Sequence, residues 1–285
     1  MVILMLTLKA PAKINLTLEV LRKRPDRFHE IESVLQTIDL YDTLCIQSGK
    51  GISFQCDMPG WSPKNSLLSK TARLLQKVTG CKQGAKISLE KHIPLMSGLG
   101  GDSSDAAALL TGLNDFWALN LSNEKLQELA ARLGSDVAFF LRGGTALAGG
   151  RGEIISPLPP LQKLWVLLVF PDIKVGPGKT AGMYAALNTG HFTDGSITDR
   201  LTAAIKEGKM PDSSLLFNVF KNIAFHVYAG LLTFNVRLIK VGICDVYLAG
   251  SGPALFALFE DETLAQEFYI RCKNQGMKAC LSQTL

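Results

Sequence analysis

Several things are scarce in this chain of 285 residues, and each scarcity excludes a class of protein. The six cysteines, Cys45, Cys56, Cys81, Cys244, Cys272 and Cys280, form no C-x-x-C pair, and none stands near one of the four histidines at zinc-binding spacing. A zinc module or a disulfide scaffold is therefore not indicated, and the thiols read as reduced, as expected of a cytoplasmic protein. No apolar run approaches the length of a membrane span. The opening Met1 to Leu8 is apolar but too short for a signal segment, with Lys9 and Pro11 following at once. Charge of one sign is not in marked excess: the net charge is +5, which does not single out nucleic acid. Basic residues interleaved with aromatics are lacking beyond Arg22 to Arg24, so an RNA-binding face is not expected. Internal repeats and low-complexity segments are absent too.

What is present is a chain 47% hydrophobic and 19% charged, enough for one large domain or two packed ones. Its organising stretch is I-P-L-M-S-G-L-G-G-D-S-S-D, Ile93 to Asp105. Ile87, Leu89, Lys91 and Ile93 alternate ahead of it and predict a strand. Ala106, Leu109, Leu110, Leu113 and Trp117 follow at helical spacing. Strand, glycine loop and helix start together make an anion site. Glycine allows close backbone approach, and a helix N-terminus presents unpaired N–H groups at the positive end of its dipole. A plain turn with a Ser or Asp cap is the competing reading of the same residues.

Along the chain, Ala10 to Val20 alternates as one strand. Ala12, Ile14, Leu16, Leu18 and Val20 share one face; Lys13, Asn15, Thr17 and Glu19 share the other, which by spacing alone faces solvent. Arg22 to Arg27 reads as a polar turn, followed by Phe28 and His29 and a strand from Ile31 to Leu40. Phe28 and His29 could grip a planar ring or could be packing and surface residues. Residues 57 to 65 form a loop, with Asn65 the expected N-cap of a helix beginning at Leu67. Gly134 should stop a helix and Ser135-Asp136 open the next, where Asp136 could be no more than a first-turn acid. Pro157-Leu-Pro-Pro160 is the best boundary, dividing 1–156 from 157–285. Gly176-Pro-Gly-Lys-Thr180 invites a Walker A reading, but Ile173 stands where its first glycine is needed, so a P-loop is rejected. Phe217 to Leu232 predicts one apolar helix. Ala249-Gly-Ser-Gly-Pro253 is a second glycine turn ahead of a strand from Ala254 to Phe259.

Four pieces in one order carry a resemblance: P-A-K-I-N-L-T-L (Pro11 to Leu18), D-R-F-H (Asp26 to His29), P-L-M-S-G-L-G-G-D-S-S (Pro94 to Ser104) and G-S-D-V-A-F-F (Gly134 to Phe140). The chain resembles, over nearly its whole length, the GHMP small-molecule kinases, named after galactokinase, homoserine, mevalonate and phosphomevalonate kinases. The first, second and fourth pieces are most similar to the branch acting on a cytidine-diphosphate sugar alcohol in isoprenoid precursor synthesis. The resemblance implies an α+β fold in two domains, an N-terminal half like the second domain of ribosomal protein S5 and a ferredoxin-like C-terminal half. It implies ATP as co-substrate and Mg²⁺, a small-molecule partner with neither nucleic acid nor membrane, and a monomer or homodimer. By position it makes Asp136 the catalytic aspartate and Lys13 the lysine at the reacting groups. It makes Asn15, Phe28, His29 and Tyr184 substrate contacts. Pro94, Gly98, Leu99, Gly100, Gly101, Ser103 and Ser104 would wrap ATP phosphates, with Asn65 and Lys91 near the adenosine part. Metal ligands are not readable. Phe28 replaces a frequent tyrosine, and Arg27 a usual glycine. A carboxylate within the loop repels phosphate unless it turns outward, caps the helix or faces Mg²⁺, and for Asp102 an outward or capping placement is expected ahead of metal contact. Another GHMP kinase, for homoserine or mevalonate, is the alternative that Phe28-His29 and Tyr184 argue against; an RNA-binding protein with an S5-like half is a remoter one.

Overall fold

The computed structural model describes residues 5–58, 61–64, 66–176, 178–210 and 213–285. In chain order the elements are β1 (Met5–Asn15), β2 (Thr17–Lys23), β3 (His29–Gly49), β4 (Ile52–Cys56), α1 (Leu67–Thr79), β5 (Gly84–Glu90), α2 (Gly101–Phe116), α3 (Asn123–Leu133), α4 (Ser135–Phe140), β6 (Thr145–Gly149), β7 (Ile154–Pro157) and β8 (Trp165–Phe170). There follow α5 (Lys179–Ala185), α6 (Ser196–Lys206), β9 (Phe217–Asn218), α7 (Lys221–Val227), α8 (Leu231–Lys240), β10 (Tyr247–Leu248), β11 (Leu255–Phe259), α9 (Glu262–Asn274) and β12 (Lys278–Gln283). None of the described helices is long and apolar enough to cross a membrane. All six cysteines are free thiols.

Two compact units interleave along the chain instead of meeting at a single boundary near residue 156. One comprises 1–12, 40–95 and 100–143; the other comprises 13–39, 96–99 and 144–285. In the first, the later part of β3 pairs antiparallel with β5, which pairs parallel with β4. Helix α2 packs against α1, α3 and α4. Its apolar residues Ala106, Leu109, Leu110 and Leu113 are fully buried, as their spacing predicts. At Gly112 a side chain would collide with Leu8, its Cβ 2.3 Å from that residue's Cδ1.

In the second unit, β2 pairs antiparallel with β3 and parallel with β9, and β6 pairs with β3 and β7. A separate antiparallel sheet runs β10-β11-β8-β12, with α9 against it. Leu167, Val169, Leu255 and Ala257 of this sheet share a core with Leu18, Val20, Val219, Phe220 and Leu231.

Three expectations differ from what is observed. Ala10 to Val20 is two strands, parted at Leu16. There the N–H bonds Val34 O of β3, the partner of both strands, while the carbonyl accepts from Phe217 N, where β9 joins as a second partner of β2. The strand into the glycine loop stops at Glu90, because the N–H groups of His92 and Ile93 turn to the Asp42 carboxylate at 2.6 and 2.8 Å. Residues 217–232 are not one helix. A two-residue strand precedes α7, and Gly230, at φ +89°, interrupts the chain before α8.

Candidate active site

The alternating face of β1 and β2 that spacing assigned to solvent is buried: Lys13 is 4% exposed, Asn15 5%, Thr17 and Glu19 0%. A buried polar row costs free energy unless each group finds a partner. Here Lys13 Nζ donates to Asn15 Oδ1 at 2.7 Å, and Asn15 Nδ2 to Ser33 Oγ at 2.7 Å. Ser33 Oγ donates to the Thr17 carbonyl, Thr198 Oγ1 to Thr17 Oγ1 at 3.0 Å, and Thr198 N to Glu19 Oε2 at 2.7 Å. The ammonium of Lys13 and the amide of Asn15 are thus fixed in one network.

The second glycine turn closes on that pair. Gly250 has φ +51°, and a Cβ there would stand 2.7 Å from Gly98 O, 3.2 Å from Lys13 Nζ and 3.5 Å from Asn15 Oδ1. At Gly98, φ +93°, a Cβ would lie 1.9 Å from Ala249 O. These two glycines are required by close approach as well as by handedness. Lys13 N donates to Leu99 O at 2.9 Å, and Ala254 N to Ser97 O at 3.2 Å, joining both turns to the strand. Asn218 Nδ2 donates to the carbonyls of Leu248 and Gly250, each at 2.8 Å.

The glycine loop passes from one unit to the other between Leu99 and Gly100. On the far side Gly100, φ +76°, is the N-cap of α2 and offers no side-chain cap. The first-turn N–H groups of Gly101, Asp102 and Ser103 lack intrahelical acceptors, as at any helix start, and so can serve a phosphate. Pro94 precedes this loop, and Leu99 is fully buried within it. Asp102 points outward, its side chain 66% exposed, with Oδ1 3.7 Å from Lys91 Nζ; of the two expected placements the outward one is seen and the cap is not. Ser104 Oγ is buried and unpartnered.

Lys91 lies in an ion cluster beneath this helix start. Its ammonium, 1% exposed, is 2.6 Å from Asp42 Oδ2 and 2.9 Å from Asp105 Oδ2, and a Cβ on Gly101 would be 3.1 Å from it. The partners shift in senses that conflict for a simple pair: the two carboxylates hold Lys91 charged, yet burial pushes the Asp105 carboxyl up to about 8. One ammonium cannot offset two buried carboxylates. Asp42 also accepts two backbone N–H bonds, while Asp105 Oδ1 is buried without a partner, so the proton falls to Asp105.

The aromatic residues gather in the second unit. His29 stacks on Tyr184, ring centroids 5.0 Å apart at 17°, with Phe192 at its edge. Burial, with a smaller contribution from Lys23, lowers the His29 pKa, which leaves a neutral ring able to donate and accept. Phe28 is 54% exposed, with the Arg151 guanidinium 4.7 Å over its ring. Arg27 takes φ +70°, the left-handed backbone that a glycine would enter freely. Asp136 is a first-turn residue of α4, half-buried, in the unit that holds α2. Asn65 lies outside the described residues; the N-cap of α1 is Ser66, whose side chain accepts from Ser69 N at 3.1 Å, not Asn65 as expected.

Sequence reasoning passed over Ser33, Asn218, Asp42 and Asp105. Each acts through a partner 14 to 49 residues away, or 30 and 32 in the case of Asn218, a distance over which spacing carries no signal.

The doubly glycine-lined cradle beside a buried lysine is that of a small-molecule phosphotransferase, and residues 66–144 match the GHMP kinases N terminal domain. A 4-diphosphocytidyl-2-C-methyl-D-erythritol kinase of Dehalococcoides mccartyi is 43% identical over 99% of both chains, and one of Geobacillus kaustophilus is 37% identical over 93% of this chain and 91% of its own. A crystal structure of 4-(cytidine 5'-diphospho)-2C-methyl-D-erythritol kinase superposes with a TM-score of 0.81 at 30% identity, covering 98% of this chain and 99% of the other. A homoserine kinase from Cytophaga hutchinsonii, at 18% identity and a TM-score of 0.76, shares the fold. The chain belongs to the 4-diphosphocytidyl-2-C-methyl-D-erythritol kinase family of the GHMP kinases. The expected α+β kinase fold is therefore the observed one.

Proposed function

We propose that this enzyme transfers the γ-phosphoryl group of ATP to the 2-hydroxyl of 4-diphosphocytidyl-2-C-methyl-D-erythritol, a step in the non-mevalonate route to isoprenoid precursors, in the cytoplasm. The observation that carries the reading is the Lys13 ammonium, buried and hydrogen-bonded to Asn15, where a Cβ on Gly250 would meet it at 3.2 Å. A fixed positive charge beside bare backbone suits a phosphoryl group in flight, because phosphoryl transfer relies chiefly on alignment and charge stabilisation.

In this reading Gly98 to Ser104 hold the ATP phosphates with backbone N–H groups, and Pro94 sets the loop's entry. Lys13 offsets charge on the moving group, and Asn15 holds the acceptor. Asp136 orients the attacking hydroxyl and takes its proton. Lys91 acts from beneath: its ammonium is committed to carboxylates, so it props the helix start instead of touching the nucleotide. Phe28 and Tyr184 supply flat apolar faces for the cytosine, and the neutral His29 its edge contacts.

Mg²⁺ would enter with the nucleotide, since it keeps several waters and needs one or two protein ligands besides phosphate oxygens. The exposed Asp102 carboxylate, in the first turn of α2, is chemically suited to hold it, whereas the buried Ser104 hydroxyl two residues on faces the other way. Bound there, it would neutralise phosphate charge.

ADP release measured with the cytidine-diphosphate acceptor, mevalonate, homoserine and galactose tests the proposal. Turnover is expected with the first alone; preference for any other acceptor would overturn it.

A further inference from the structure

The Gly176-Pro-Gly-Lys-Thr180 motif is no P-loop, yet its lysine and threonine are not idle. Lys179, the first residue of α5, donates from Nζ to Met96 O at 2.9 Å and to Gly252 O. Thr180 Oγ1 lies 3.0 Å from Ser251 Oγ, and the Ser251 carbonyl accepts from Tyr228 OH at 2.6 Å. Two neighbouring side chains of α5 therefore fasten the C-terminal glycine turn, and one reaches on to the entry of the phosphate loop. A second observation lies at the far end of that reach. Met96 is 43% exposed and has φ +54°, a conformation that side chains other than glycine's adopt at a cost. Its own side chain is not packed to enforce it. The ammonium on its carbonyl can.

We propose that Lys179 is a positioning residue of the phosphate loop. Its ammonium ties the loop's entry at Met96 to the glycine turn at Gly252, holding Met96 in its left-handed conformation and so fixing the Gly98 amide for an ATP phosphate. The inference rests on the reading of Gly98 to Ser104 as the ATP cradle. It assigns the Gly-Lys-Thr triplet a role opposite to that of a P-loop, since here the lysine binds carbonyl oxygens of the protein.

The test is steady-state kinetics with each substrate varied in turn. Lys179→Met should raise the KM for ATP about tenfold, equivalent to ~1.4 kcal/mol, and leave the KM for the cytidine-diphosphate acceptor within about twofold. Lys179→Arg, which keeps the charge and the donors, should restore most of the ATP affinity. Met96→Gly in the Lys179→Met background should also recover it in part, because glycine takes positive φ unaided. Should Lys179→Met fail to fold, Thr180→Val, which removes the companion bond, should shift the ATP KM in the same direction by a smaller factor. An unchanged ATP KM in Lys179→Met overturns the proposal. So does an equal rise in both KM values, or a double variant with no recovery. Failure of the underlying kinase reading is distinguishable: the wild-type enzyme would then release no ADP with that acceptor.

Discussion

Exchanging Asp105 for asparagine asks which of the two carboxyls around Lys91 keeps its charge. Both lie within 2.9 Å of one ammonium, and both are nearly inaccessible to water. An unperturbed aspartate titrates at about 3.9, whereas burial, opposed by Lys91 and reinforced by Asp42, pushes Asp105 up to about 8. Between those values the folded enzyme holds a proton that the unfolded chain has released. Stability must then fall as pH rises through that interval, by up to about 1.4 kcal/mol per pH unit for one proton. The contribution is whole below the unfolded value and gone above the folded one. A carboxamide in its place would have nearly the same shape and no proton to lose. Urea unfolding of Asp105→Asn, followed by circular dichroism at pH 5, 6, 7 and 8, should show a flatter decline than wild type, a cost within about 1 kcal/mol at pH 6, and a relative gain at pH 8. Asp42→Asn should behave differently. It removes the carboxylate that two backbone N–H groups and the ammonium share, weakening those charge-assisted bonds and leaving Asp105 to ionise in its place, at a cost of about 1.5–3 kcal/mol. If Asp105→Asn declined with pH as steeply as wild type, or cost as much as Asp42→Asn, the allocation of charge argued above would be wrong.

Four further outcomes are expected. Gly98→Ala should lose at least about 1–2 kcal/mol to backbone handedness alone, and more because its Cβ would stand 1.9 Å from Ala249 O; a thermal melt and an ATP titration together would register it, and a silent substitution would deny the close approach. Lys13→Ala and Asp136→Asn should each lower kcat by roughly 10²–10³ with the ATP KM nearly kept, and wild-type rates in both would remove their roles. Phe28→Ala should raise the acceptor KM by roughly tenfold, the worth of one base stack at its lower end, with kcat little changed. Because the His29 pKa is lowered, its ring stays neutral down into the usual imidazole range, so the acceptor KM should be level from pH 7 upward and rise only on acidification; a rise centred at or above neutrality would mean that protonation of His29 is not what governs base binding.

Much of the fold was legible because local chemistry wrote it. The helix after the glycine loop follows from Ala106, Leu109, Leu110 and Leu113, and all four are buried where their spacing puts them. The free cysteines and the outward Asp102 are as their surroundings in the sequence implied. The candidate site was marked in the sequence by its two glycine turns, and Gly98 and Gly250 of those turns do come into close approach. Alternation misled at Lys13 to Glu19, because it reports two faces of a strand and not which of them is covered. Here Ser33 and Thr198 bring partners to the polar face, and water is excluded from both. The break at Gly230 was visible as a glycine but outweighed by an apolar run. The Lys91 cluster could not be read at all: Asp42 stands 49 residues away, and nothing in its neighbourhood marks it as the acceptor for Lys91, His92 and Ile93.

The abutment of Gly98 and Gly250 restricts how this enzyme can be recombined with its relatives. Neither residue can gain a carbon without displacing the main chain of the other's turn, so the two segments behave as a single inherited part despite the 152 positions that separate them in the sequence. A hybrid that takes residues 94–104 from one parent and 249–253 from another mixes halves of one mould, and its success will depend on whether both donors shaped that seam alike.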